Sequence, residues 1–158
     1  MPSNPVWPNS IDTFAYHQSI AAMKKFLLGT KAAYTDLGLL LLRLCAGGVM
    51  AFSHGWPKFN RAMAGDMGFA DPIGVGETPS LILTIFAELL CGMLVAAGLF
   101  TRLSLIPPIV TMAVAVFIIH SDDPFGDKEH ALLFLVPYVT LLFTGPGKWS
   151  LDGLVRKA

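Results

Sequence analysis

The chain has 158 residues, 54% hydrophobic and 14% charged, where a soluble domain carries about a quarter charged residues. Its 11 Lys and Arg balance 11 Asp and Glu, so neither a nucleic-acid partner nor a polybasic tail is indicated. Two cysteines, Cys45 and Cys91, both in apolar runs, give no disulfide framework and read as inert small residues of membrane helices.

Residues 1–12, rich in Pro, Asn and Ser, predict an irregular tail, without the basic-then-apolar pattern of a cleavable signal peptide. Residues 14–29 predict a helix too interrupted by Gln18, Lys24 and Lys25 to cross a bilayer. It is read as an interfacial helix lying on the membrane. Residues 1–35 are thus set apart from a spanning domain over 36–155.

The first span is Leu37–Ser53, holding Arg43 and ending where Gly55 and Pro57 break the helix. Trp56 suits an interfacial anchor. A long connection over 55–78 carries Asp66, Asp71 and Glu77. The second span, Pro79–Phe100, carries Glu88 well inside it. Thr101 and Arg102 read as a polar turn, and Leu103–Ile119 as a third span that Pro107 and Pro108 would kink. After an acidic loop over 120–129, the short run Ala131–Thr144, with Pro137, is the fourth. The expectation is an all-α, integral membrane four-helix bundle with an additional N-terminal interfacial helix. Lys24, Lys25, Lys31, Arg102, Lys148, Arg156 and Lys157 fall on one side, and Lys58, Arg61 and Lys128 on the other. That asymmetry places both termini in the cytoplasm, with the loops 55–78 and 120–129 facing out.

An ionisable side chain in hydrocarbon is costly and needs a partner or a polar cavity. Measured from the outer ends of their helices, Arg43 lies roughly 16 Å deep and Glu88 roughly 13 Å deep. They are therefore expected to form a buried ion pair, with Gly47, Gly48 and Gly92 letting the backbones approach. The pair can be structural or functional. Arg43, Gly47, Met50 and His54 share one helical face, and His120, Glu129 and His130 lie at the level of His54. These groups could hold a metal or the oxygens of a quinone. No local ligand spacing supports the metal, and none is assigned.

Several motifs in order resemble the DoxX family of small four-helix membrane proteins. They are Leu41-Leu42-Arg43-Leu44, His54-Gly55-Trp56-Pro57-Lys58, Ala87-Glu88-Leu89 and Gly98-Leu99-Phe100-Thr101-Arg102. His120 before the acidic loop, Glu129, and Gly145-Pro146-Gly147-Lys148-Trp149-Ser150-Leu151-Asp152 complete the set. The likeness covers about residues 36–155. It implies a bacterial inner membrane protein, a subunit of a membrane oxidoreductase system that works with partner redox proteins. A quinone-like ligand is then expected in the outer half of the bundle, near Arg43, His54, Lys58, Glu88, His120 and Glu129. The alternative is a non-catalytic membrane component or small-solute carrier whose ion pair is structural. No flavin or nucleotide fingerprint and no nucleophile constellation is legible. Whether the chain is an enzyme, and whether it forms a homo-oligomer, are left open.

Overall fold

The computed structural model describes residues 16–24 and 32–156, and the chain divides into two compact units, 1–34 and 35–158. In the first, residues 16–24 form helix α1, exposed along its length but for the partly covered Ile20. The remainder of the expected helix over 14–29 lies outside the described residues.

In the second unit every regular element among the described residues is helical. Helix α2 joins Ala32–Val49, a π-helical turn Met50–Gly55 and Trp56–Met63. Helix α3 joins Glu77–Ile85, a π turn Phe86–Cys91 and Gly92–Ala97. Helix α4 joins Thr101–Val114 and a π turn Ala115–Ile119. Phe125–Thr144 is α5 and Leu151–Val155 is α6. Among the described residues three stretches are long and apolar enough to cross a membrane: Tyr34–Met63, Glu77–Ala97 and Thr101–Ile119. The 20-residue α5 packs beside α4 and completes the four-helix bundle. Asp127, Lys128 and Glu129 in its first turns leave an apolar run of only about 21 Å, from Ala131 on.

Several boundaries differ from the sequence expectation, among them the start of α5, at Phe125 inside the expected acidic loop over 120–129. Helix α2 does not stop at Pro57. The π turn before the proline widens the helix, with the Trp56 N–H reaching back to the Ala51 carbonyl, so the ring passes without breaking the rod. The connection therefore shrinks to the stretch after Met63. There Asp71 accepts from the Val75 and Gly76 N–H groups, at 2.9 and 2.8 Å, and from the Ser80 hydroxyl, at 3.0 Å. Those bonds, that from Gly76 foremost, hold its carboxyl below the usual range against the opposing effect of burial. Likewise Thr101 is not a turn residue but opens α4. The reversal is made at Gly98 and Phe100, both left-handed, with φ of 70° and 46°.

Packing follows membrane rules rather than soluble ones. Phe52, Leu103, Val110, Phe117, Leu133, Val136 and Phe143 are exposed on the outer faces, where acyl chains would cover them. The interior holds Met50, Val95, Leu105, Met112, Phe134 and Tyr138. Helices α2 and α3 are antiparallel and touch through small residues. A Cβ on Gly47 would lie 2.6 Å from the Gly92 carbonyl oxygen, and one on Gly55 would lie 2.5 Å from the Leu89 nitrogen. Gly48 faces open space instead. Hydroxyls of Thr84, Thr111 and Thr140 donate to the carbonyls four residues back, so none is left bare in hydrocarbon.

Candidate functional site

The contact between α2 and α3 sets which polar groups can meet. Gly55 faces Leu89, while Gly47 faces Gly92 and Ala96. Glu88 is therefore level with the far part of α2, and Arg43 with the end of α3. The expected Arg43–Glu88 ion pair does not form. Its premise was an α2 that ended at His54. With α2 running on to Met63, Arg43 falls roughly 18 Å short of the Glu88 level.

Arg43 is buried, 1% exposed, and bonds to backbone. Its Nη1 donates to the Ala96 carbonyl at 3.0 Å and its Nη2 to the Trp149 carbonyl at 2.6 Å. A side chain at Gly98 would run into the guanidinium, which is why glycine makes that turn. Asp152 closes the same end. Its carboxylate accepts from the Phe100 N–H, the Thr101 N–H and the Thr101 hydroxyl at 2.7–2.8 Å, capping α4. Burial pushes this carboxyl up, but the Thr101 and Phe100 donors, with Arg156, outweigh it and hold it below the usual range.

Glu88 instead takes Lys58, with Nζ to Oε2 at 2.6 Å and side-chain exposures of 23% and 5%. Two cavities flank the pair. One, of about 430 Å³, is walled by α3, α4 and the loop residues Phe69, Pro72 and Ile73. It is mainly apolar, with Lys58, Glu88, Ser80, Thr84 and Thr111 as its polar groups. The other, of about 180 Å³, is lined by His54, His120, Asp127 and His130 with Met50, Phe134 and Glu88. There the Nε2 atoms of His54 and His130 lie 3.3 Å apart, and His120 Nδ1 lies 2.7 Å from Asp123. Phe134 stands edge-on to both rings of the first pair.

Of the residues expected at the site, His54, Lys58, Glu88 and His120 surround these cavities. Arg43 and Glu129 do not. Glu129 lines neither cavity, whereas Asp127 and His130, three apart on α5 and likewise exposed, both line the smaller one. Asp127 escaped the sequence reading because the loop was read as running on to Glu129. The i, i+3 spacing to His130 was the available signal. Among the described residues no three His, Cys, Asp or Glu side chains are placed to hold a metal ion. Cys45 and Cys91 are free thiols.

The chain is thus a small all-helical membrane protein, with an ion pair and clustered histidines at one end and an arginine clamp at the other. It matches the DoxX family model over residues 38–121 and belongs to the DoxX family. It is 34% identical to the Bacillus subtilis protein named "Putative oxidoreductase CatD", over 77% of this chain and 90% of that one. It is 30% identical to "Uncharacterized membrane protein Rv3486" of Mycobacterium tuberculosis, over 75% and 82%. It is 27% identical to "Inner membrane protein YqjF" of Escherichia coli, over 77% and 95%. No solved structure matches it significantly.

Proposed function

We propose that this protein binds a quinone-like ligand in the cavity beside Lys58 and Glu88. On this reading it is a subunit of an inner membrane oxidoreductase system, with both termini in the cytoplasm and the redox groups supplied by partner proteins. The reading rests above all on the 430 Å³ cavity, apolar on most of its wall with one ion pair at the edge. That combination fits a flat apolar ring carrying a few oxygens. The Lys58 ammonium has three donors, and Glu88 Oε2 engages one of them. The others are available to a carbonyl oxygen. The relative named an oxidoreductase lends the reading its direction.

The test is binding of a short-chain quinone analogue to the purified protein in mild detergent. Saturable binding is expected, weakened about tenfold or more in Lys58→Met and Glu88→Gln, a loss of about 1.4 kcal/mol each. No binding by the parent, or equal binding in all three, returns the Lys58–Glu88 pair to a structural role and the protein to the carrier or non-catalytic class.

A further inference from the structure

Glu88 is part of the wall of both cavities, with Lys58 on one side and the histidines on the other. A carboxyl with 5% of its side chain exposed exchanges protons with bulk water only through intermediaries. The smaller cavity provides them in order of exposure: His54 partly covered, then His130 exposed. We propose that the His54–His130 couple is the proton outlet of Glu88, linking it through the 180 Å³ cavity to the surface at Asp127 and His120. This extends the site proposed above and does not depend on which ligand fills the larger cavity.

The geometry suits the task. About 10–15 Å³ of such space admits one water, so a 180 Å³ cavity with Glu88, His54, His120, Asp127 and His130 among its walls has room for waters between Glu88 and His54. At 3.3 Å one Nε2 donates and the other accepts. The couple takes up one proton without losing that bond, because the added proton goes to Nδ1 of the donating ring. A second proton would set N–H against N–H, so the couple carries one proton at a time.

The charged and titratable neighbours come from every helix around it. Lys58 lies one turn along α2, Glu88 is on α3, His120 with Asp123 follows α4, and Asp127 and Tyr138 are on α5. The Tyr138 hydroxyl is already committed to the Ala46 carbonyl at 3.1 Å. In the outward step the Glu88 carboxyl loses a proton to a cavity water, which protonates the couple, and His130 releases one to bulk water. The net change is one carboxylate and one hydronium, with no electron moved.

The experiment is time-resolved infrared spectroscopy of the purified protein after a pH jump within about pH 5 to 8, the range of imidazole titration. The Glu88 carboxyl band is identified by its loss in Glu88→Gln. In His54→Asn and His130→Asn, which keep a hydrogen-bonding amide but carry no proton, the band should respond on the order of 100-fold more slowly. Added imidazole should restore the rate. Parent-like rates in both Asn variants, or a Glu88 band that never responds in the parent, overturn the proposal. Quinone-analogue binding measured on the same samples separates the two readings, because its absence leaves the proton kinetics untouched.

Discussion

The two ends of the bundle solve one problem, a buried ionisable side chain, in opposite ways. At one end Arg43 is clamped by the Ala96 and Trp149 carbonyls, and the C-terminal stretch folds over it through Asp152. At the other end Glu88 meets a single side chain, Lys58, and cavities open on both sides. Backbone acceptors belong to rigid elements and cannot change charge. A lysine–carboxylate pair can be opened, titrated or shared with a ligand. The difference teaches that burial alone does not mark a functional charge; the nature of its partners does.

The largest effect should come from breaking the pair at the open end. Glu88→Gln and Lys58→Met each leave an uncompensated charge and should cost about 3–5 kcal/mol, whereas the double variant should cost less than their sum. Thermal unfolding in detergent reads this. Additive losses would mean that the two groups do not stabilise each other. Next, Arg43→Met strands the Ala96 and Trp149 carbonyls and should cost about 2–3 kcal/mol, while quinone-analogue binding stays at the parental level. A binding defect in Arg43→Met would erase the contrast between the ends. The smallest effect belongs to Asp152→Asn, which weakens a helix cap at about 1 kcal/mol. The sign with pH follows from the lowered carboxyl. Its contribution is complete above the ordinary carboxylate pKa of about 3.9 and disappears as pH falls through the lower folded value. Parent and variant stabilities should thus converge in acid, and a constant gap down to pH values below that range would refute the cap.

Much of this was legible from residue type and order. Apolar runs marked the long helices, and the family motifs sat where Lys58, Glu88 and His54 later converged. Gly47 and Gly92 were legible as contact residues because only small side chains let two membrane helices touch. The partner of Glu88 was not. Pro57 reads locally as a stop, and only the π turn before it lets α2 continue, which places Lys58 rather than Arg43 beside Glu88. Asp152 and Trp149 were equally hidden, since their partners are more than 50 residues away and no periodicity reports such contacts. Gly48 shows the converse error: a small residue in the right helix, on the wrong face.

The π turns themselves have a consequence for how the chain tolerates change in length. All three lie at the site: Met50–Gly55 holds His54, Phe86–Cys91 holds Glu88, and Ala115–Ile119 leads into His120. A π turn accommodates one residue more than an α turn. Deleting one residue there would let the helix close as a regular α-helix with its hydropathy and length nearly unchanged. Because the turn has already absorbed that residue, the helix beyond the deletion would keep nearly its present face, whereas a one-residue deletion within the α-helical Ala32–Val49 would turn everything on one side of it by about 100° relative to the other. The rod would still cross the bilayer in both cases, and the first deletion would also keep the α2–α3 seam. Deletions at these turns therefore reorient the turns' own residues, His54 and Glu88, while membrane insertion and the seam are kept.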